Sequence, residues 1–137
     1  MAKIILASHG GLSKGMKDSV SMIVGDLAKD IETYSLLPGQ NPEDFYQEVL
    51  KKAKECEEQI LILCDIKGGS VHTALSKLAV LDNVMVFSGM NMGLVLDAVM
   101  KGLNGKLELA EANDLIEAAK DGMTVMNGMT SEDDEDF

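Results

Sequence analysis

His9 is the residue of this sequence with the clearest potential for chemistry. One serine separates it from an apolar run, residues 4–7, and two glycines follow it. Such a run is typical of a buried strand, and the carboxyl ends of strands in an open parallel sheet face the ligand crevice. Near neutral pH an imidazole in that position can act as an acid, a base, a metal ligand or a phosphoryl acceptor. The pattern therefore predicts a chemically active His9 at the mouth of a sheet.

A carboxylate is expected at the same edge of the sheet. Asp65 directly follows the apolar run 60–64. If that strand lies beside the first one, as in a flavodoxin-like strand order, the side chains of Asp65 and His9 can meet. A carboxylate that accepts a hydrogen bond from one imidazole nitrogen fixes the tautomer and leaves the other nitrogen as a nucleophile.

A glycine-rich loop follows Asp65. Gly68 and Gly69 offer unhindered backbone N–H groups, and Ser70 offers a hydroxyl at the start of a helix. This combination suits an oxyanion. The chain contains no arginine, so it cannot form a bidentate arginine clamp on a phosphate. Backbone N–H groups, hydroxyls or lysines must therefore hold any phosphate that binds.

Each of these features also has a purely structural interpretation. The His-Gly-Gly sequence can form a simple turn, Asp65 can cap its own loop, and Ser70 is a good helix N-cap. The glycines match neither a P-loop nor a dinucleotide-binding fingerprint. No pair of the possible ligands has the spacing of a known metal site, and we predict neither a metal nor another cofactor. Those possible ligands are His9, Cys64, Asp65 and His72, the last interpreted as a surface or supporting residue.

The elements that position these residues alternate along the chain. Stretches with helical spacing of apolar residues separate the strand-length runs, and the alternation predicts an α/β fold. We expect a doubly wound, mostly parallel sheet with helices on both faces, and a final edge strand. The expected strands cover residues 4–7, 31–37, 60–64, 84–87 and 123–126, and the last helix covers 107–120.

Composition excludes several classes of function. The 137 residues carry a formal net charge of −11, which argues against nucleic acid or an anionic membrane as the main partner. Two cysteines do not suggest a disulfide framework, and neither a signal peptide nor a membrane span is expected. We therefore expect a cytoplasmic protein, with one domain over residues 1–129 and an acidic, disordered tail over 130–137.

Taken together, these motifs resemble the enzyme IIA component of the mannose family of the bacterial phosphoenolpyruvate-dependent sugar phosphotransferase system. The similarity runs from about residue 2 to residue 126. The matching motifs are Ser8-His9-Gly10, Pro38-Gly39, Asp65 with Gly68-Gly69-Ser70, and Gly89-Met90-Asn91-Met92.

The resemblance implies a phosphotransferase component with a phosphohistidine intermediate. His9 would take a phosphoryl group from the phosphohistidine of the carrier HPr and pass it to a IIB component. Asp65 would orient the imidazole, and Ser70 would lie near the phosphoryl group. The glycines expected to bind the phosphoryl group with Ser70 are Gly10, Gly68 and Gly69.

The resemblance also has implications for assembly. It implies a homodimer in which the final strand, residues 123–126 here, is antiparallel and exchanged between the subunits. It implies only indirect contact with the membrane, through the IIC and IID components. The sugar cannot be read from the IIA sequence, because specificity lies chiefly in the membrane components.

The chain departs from the family pattern next to the predicted site. After the Gly-Gly-Ser sequence, Val71 stands where a proline is frequent and Thr73 where an asparagine is frequent, with His72 between them. Gly93 replaces another common proline.

Alternative functions are open at this point. The phosphoryl-donor subunit of dihydroxyacetone kinase shares the fold, but its loop usually has one glycine before the serine, whereas this chain has two. Two further alternatives are a non-catalytic regulatory module of the same fold and a small hydrolase that uses His9 and Asp65. The co-occurrence of the histidine, the aspartate and the Gly-Gly-Ser sequence favours the IIA component over the regulatory module and the hydrolase.

Overall fold

Among the residues that the structure describes, four of the five predicted strands are present, and they alternate with helices up to the last two helices. The computed structural model of the protein describes residues 1–128. The strands are β1 (Lys3–His9), β2 (Glu32–Leu36), β3 (Ile60–Cys64) and β4 (Val84–Phe87). The helices are α1 (Leu12–Val24), α2 (Pro42–Glu55), α3 (Ser70–Ser76), α4 (Met92–Gly102) and α5 (Leu109–Asp121). Short 3-10 segments follow α1 and α3, at Gly25–Ala28 and Lys77–Val80.

Local signals in the sequence set several helix boundaries. Asn41 Oδ1 accepts the N–H of Glu43 at 3.0 Å at the start of α2. Asn91 Oδ1 accepts the N–H of Leu94 at 2.9 Å at the start of α4. Asparagine is a preferred N-cap residue because its side chain satisfies an N–H group that the first helical turn leaves unpaired. Gly25 ends α1 with a φ of +59°, a conformation that favours glycine.

All the strands of the sheet are parallel and lie in the order β2-β1-β3-β4. The central strands β1 and β3 are neighbours, with Ala7 opposite Cys64 in the register. Their carboxyl ends therefore lie side by side. This arrangement confirms the expected α/β fold with a parallel sheet, and it is the condition under which the residues that follow the two strands can meet.

Helices cover both faces of the sheet, and alternate side chains of β1 enter two separate cores. Ile4 and Leu6 pack into the core formed with α1, α4 and α5. Ile5 and Ala7 pack into the core formed with α2 and α3. Every residue of β3 is buried, as expected for a strand covered on both faces.

The predicted final strand is not part of the sheet in the single chain. Residues 123–126 have no regular secondary structure, and Met123, Val125 and Met126 are 74%, 92% and 69% exposed. Within the described residues the sheet ends at β4. A strand gains its hydrogen bonds from a neighbouring strand edge, and this segment pairs with none in its own chain.

Residues 1–128 contain no helix that is both long enough and apolar enough to cross a membrane. The predicted acidic tail, residues 130–137, lies outside the described residues.

Candidate active site

One carboxylate joins the ends of the two central strands. The N–H of Asp65 donates to the carbonyl oxygen of Ala7 at 3.1 Å and extends the pairing of β3 with β1. Oδ2 of Asp65 accepts two hydrogen bonds from His9, one from its backbone N–H at 2.8 Å and one from ring Nδ1 at 2.7 Å. Oδ1 accepts the N–H of Ile66 at 2.9 Å. The structure thus brings together the histidine and the aspartate that the sequence predicts as partners.

These hydrogen bonds determine the charge of Asp65. Partial burial raises the pKa of its carboxyl group, but the bonds from the His9 N–H, the His9 ring and the Ile66 N–H outweigh that effect and lower the pKa below its usual value. Asp65 is therefore ionised at neutral pH and can only accept. It follows that Nδ1 of His9 carries the hydrogen of their shared bond. In the neutral ring Nε2 then keeps its lone pair.

The second ring nitrogen of His9 faces a serine hydroxyl. Nε2 lies 3.1 Å from Oγ of Ser70, the first residue of α3. In the tautomer set by Asp65, the Ser70 hydroxyl donates to Nε2, and it can rotate toward another acceptor. The His9 side chain is 48% exposed, whereas that of Asp65 is 9% exposed. The nearly buried carboxylate of Asp65 therefore orients the accessible Nε2 of His9.

Two buried serines fix the turn that follows β1, a role that the sequence alone does not reveal. Gly10 has a φ of +56°, and its N–H donates to the carbonyl oxygen of Leu36 at 2.8 Å. The Ser8 hydroxyl donates to the Gly10 carbonyl at 3.2 Å and accepts the N–H of Ser13 at 2.8 Å. Ser8 and Ser13 are fully buried. Their network holds the backbone on both sides of His9.

The N–H groups of the glycine-rich loop have acceptors within the protein. The Gly69 N–H donates to the Ile66 carbonyl at 3.2 Å. Gly68 has a φ of +80°, and its N–H donates to Nδ1 of His72 at 3.1 Å. Like the Gly10 N–H, these groups must exchange partners before they can bind an oxyanion. The contact between His72 and Gly68 depends on the loop conformation, so spacing along the chain does not predict it.

Cys64 is not a candidate for chemistry in this environment. Its side chain is fully buried, and desolvation, together with the charge of Asp65, raises the pKa of its thiol to about 12. The thiol therefore stays protonated and unreactive near neutral pH. Within residues 1–128, no group of three or more histidine, cysteine, aspartate or glutamate side chains is arranged to hold a metal ion.

The loop after β4 borders the same edge of the sheet. The N–H of Met90 donates to the carbonyl oxygen of Cys64 at 3.0 Å. A concavity of about 460 Å³ extends from Asp65 along residues 89–93 to the end of α5. The site is thus open on this side, next to the carboxylate that orients His9.

Comparison with known proteins gives matches over nearly the whole domain. The family model described as "PTS system fructose IIA component" matches residues 3–120. The PTS system sorbose-specific EIIA component of Klebsiella pneumoniae is 30% identical over 101 residues, which are 72% of this chain and 73% of that protein.

Solved structures share the fold. Phosphotransferase system component EIIA from Streptococcus agalactiae has a TM-score of 0.79 at 23% identity, covering 91% of this chain and 97% of that one. The PTS IIA protein associated with the fucose utilization operon of Streptococcus pneumoniae has a TM-score of 0.74 at 25% identity, covering 90% and 92%. At 23% identity, the similarity to the Streptococcus agalactiae protein shows a shared fold and nothing further.

A methyl group at Gly69 is expected to displace the His9 ring. A Cβ there would lie 2.8 Å from Cγ2 of Ile66 and 3.2 Å from Cε1 of His9. Rotation about the Cα–Cβ bond of the exposed Ile66 can move Cγ2 away, whereas the imidazole is hydrogen-bonded through both nitrogens, so any displacement of the ring changes those bonds. Gly69→Ala should therefore shift the Nδ1–H resonance of His9 in an NMR spectrum.

Gly11→Ala is the matched control for that experiment. Gly11 has a φ of −83°, and a Cβ on it would meet nothing within 4 Å. Its variant should leave the His9 resonance in place. An unchanged His9 resonance in Gly69→Ala would contradict the close fit between the loop and the ring.

The lowered pKa of Asp65 predicts a pH-dependent contribution to stability. A carboxyl group whose pKa is lower in the folded state stabilises the fold at pH values above its unfolded pKa, and the contribution is lost as the pH falls through the folded pKa. We expect Asp65→Asn to reduce the free energy of unfolding by about 1.5–3 kcal/mol at pH 7, as for hydrogen bonds to a charged group. Urea denaturation of both proteins from pH 7 to pH 3 measures the difference, which should shrink below about pH 4; a constant difference would contradict it.

Proposed function

The chain belongs to the IIA family of the sugar phosphotransferase system, and from this premise we propose that His9 accepts a phosphoryl group from phospho-HPr and passes it to a IIB component. Family membership itself assigns a phosphotransfer role in sugar uptake. Our proposal concerns which residue accepts the phosphoryl group, which protein donates it and which protein receives it. The transfer would take place in the cytoplasm, with the membrane reached only through the IIC and IID components.

The observation that supports this proposal most is the pairing of His9 Nδ1 with Asp65 Oδ2 at 2.7 Å. It leaves Nε2 as the nucleophilic nitrogen, on a side chain that is 48% exposed. In the transfer, the P–N bond to the HPr histidine breaks and a P–N bond to Nε2 forms. The His9 ring gains positive charge, which the Asp65 carboxylate stabilises through the retained Nδ1–H. Onward transfer to IIB reverses these changes.

Ser70 is the proposed first contact of the phosphoryl group. Its hydroxyl lies 3.1 Å from Nε2, and once that lone pair attacks phosphorus the hydroxyl is free to donate to a phosphoryl oxygen. Gly10, Gly68 and Gly69 would add backbone N–H groups after they exchange their present acceptors. No arginine is available to take this role, and the donors that we propose are all neutral.

The surface around His9 suits a protein donor. Leu12, Leu37 and Ile66 follow three neighbouring strands, and they are 51%, 51% and 60% exposed. Exposed apolar side chains that surround a polar reactive group are typical of a protein–protein interface. HPr and IIB are the partners that we propose for this face. The acidic charge of the chain makes nucleic acid an unsuitable partner.

We also propose that the chain forms a homodimer by exchange of residues 123–126. The segment is apolar and exposed in the single chain. A groove of about 390 Å³ lies beside β4, between α5 and residues 85–88, which are the end of that strand and the first residue after it. An open strand edge next to an apolar groove is a template for an extended segment of another chain. In a two-fold dimer, each chain can place its segment 123–126 on the β4 edge of the other chain.

Removal of the His9 imidazole is expected to abolish phosphorylation. His9→Ala, incubated with phosphoenolpyruvate, enzyme I and HPr, should take up no acid-labile phosphate, since Nε2 is the proposed acceptor. Mass spectrometry and acid treatment of the wild-type protein should locate one phosphoryl group on His9. Normal labelling of His9→Ala would contradict the proposal.

The other histidine provides the control. The chain contains two histidines, and His72→Ala should reach the same final extent of labelling as the wild type. A wild-type protein that takes up phosphate but cannot pass it to any IIB component, and instead supports dihydroxyacetone phosphorylation, would identify the kinase donor subunit. A protein that is never labelled would favour the regulatory module.

Truncation tests the exchanged strand. A chain that ends after Gly122 should lose the dimer or aggregate, because it lacks the segment that would cover β4 of the partner. A chain that ends after Ser131 should remain a dimer, because it keeps that segment. Light scattering at micromolar concentration measures both, and a full-length chain that is monomeric under these conditions would contradict strand exchange without affecting the role of His9.

A further inference from the structure

His72 makes a contact that none of the roles described above requires. Both backbone groups of Gly68 bind side chains from the first turn of α3. The Gly68 N–H donates to Nδ1 of His72 at 3.1 Å, and the Gly68 carbonyl accepts the Thr73 hydroxyl at 3.3 Å. Gly68 has a φ of +80°, so these two side chains hold a glycine conformation that other residues rarely adopt.

The loop held in this way packs against the reactive ring. A Cβ on Gly69 would lie 3.2 Å from Cε1 of His9, so the loop approaches the edge of the imidazole closely enough to leave little room for a further atom. One residue further, Oγ of Ser70 lies 3.1 Å from Nε2 of the same ring. A displacement of Gly68 would therefore move the surface that packs on His9 and the hydroxyl that faces its nucleophilic nitrogen.

We propose that His72 is a positioning residue for phosphoryl transfer, which acts by accepting the N–H of Gly68 and so holding the loop against His9. This inference rests on the proposed role of His9.

The contact requires a particular protonation state. Nδ1 of His72 can accept the Gly68 N–H only when it carries no hydrogen, so the neutral ring must have its hydrogen on Nε2. Protonation of the ring places an N–H against the Gly68 N–H and removes the bond. The Gly68 N–H differs in this respect from the N–H groups of Gly10 and Gly69, because those two donate to backbone carbonyls, which do not titrate. Imidazole titrates between about pH 5 and pH 8.

Three charged groups near α3 have partners of their own, namely Asp65, Glu43 and Lys77. The carboxylate of Asp65 binds His9 and Ile66. Glu43 of α2 forms an ion pair with Lys77 at 2.8 Å, and the ammonium of Lys77 lies 4.2 Å from the centre of the Tyr46 ring. The titratable groups on the elements packed against α3 and on the loop before it are Lys3, His9, Glu43, Asp44, Tyr46, Glu48, Lys51, Lys52, Lys54, Glu55, Cys64, Asp65, Lys67 and Lys77.

Two amide substitutions separate the hydrogen bond from the bulk of the side chain. Oδ1 of asparagine occupies the place of the histidine Nδ1, whereas Oε1 of glutamine occupies the place of Nε2. His72→Asn therefore keeps an acceptor for the Gly68 N–H and cannot titrate. His72→Gln retains a polar side chain of similar size but moves the acceptor by one bond.

The rate of transfer from phospho-HPr is the functional measurement. At pH 7.5, His72→Asn should transfer within about twofold of the wild type and His72→Gln about three- to tenfold more slowly, the factor that one hydrogen bond can change. Protonation of the His72 ring removes the bond to Gly68, so the rate of the wild type should fall below that of His72→Asn as the pH is lowered. Equal rates for His72→Gln and the wild type, or identical pH profiles for His72→Asn and the wild type, would overturn the proposal.

An NMR titration tests the hydrogen bond independently of transfer. In His9→Ala the chain keeps a single histidine, His72, so any imidazole titration belongs to that residue. The Gly68 amide proton should shift between pH 8 and pH 5 in this variant and stay constant in the double variant with His72→Asn. A constant shift in both would overturn the proposal even if His9 is labelled normally. Absence of labelling on His9 of the wild type would instead overturn the proposed function.

Discussion

The carboxylate of Asp65 is the group on which the rest of the site depends. It accepts three hydrogen bonds, two from His9 and one from Ile66, and so joins the ends of the two central strands. This arrangement requires the parallel pairing of β1 with β3, because only neighbouring strands in this register bring the residues after them within 3 Å of each other. The fold therefore sets the tautomer of His9. One hydrophobic core packs on each face of the sheet, and the side chains of β1 alternate between the two cores. This packing fixes the position of β1 and therefore of His9 at its end.

The proposed site combines neutral hydrogen-bond donors with one charge, that of Asp65, and this combination suits a phosphoryl group that is passed on. A site built to retain a phosphoryl group would surround it with arginines, whose bidentate hydrogen bonds are among the strongest available. This chain has no arginine and a net charge of −11, so the protein as a whole disfavours a bound anion. In the proposed transfer, the negative charge of Asp65 would stabilise the positive charge that the ring gains while it carries the phosphoryl group. A phosphoryl group held by neutral donors would remain easy to pass on, because stabilising the intermediate strongly would raise the barrier to its release.

The parts of the site that follow from periodicity are those that the sequence predicts. Four apolar runs with helical stretches between them indicate a parallel sheet, and the position of His9 and Asp65 after two such runs places them at one edge. Contacts that depend on loop conformation cannot be predicted in this way. The bond from Gly68 to His72 arises from a positive φ that spacing does not encode, and the network of Ser8 with Ser13 requires a buried turn. The segment at 123–126 has strand composition, yet it pairs with no strand among the described residues, because composition does not say which strand edge a segment finds.

The two sides of the His9 ring differ in how readily they can rearrange. On the Nδ1 side, the ring binds a carboxylate that backbone N–H groups and the strand register also fix, and its side chain is only 9% exposed. On the Nε2 side, the contacts are made by a serine hydroxyl and by a loop that His72 and Thr73 hold through side chains. Side-chain hydrogen bonds can exchange by rotation about single bonds, whereas backbone bonds in a sheet cannot. In the proposed transfer, arrival of a phosphoryl group would therefore change the contacts on the loop side, and the carboxylate would keep the orientation of the nucleophile.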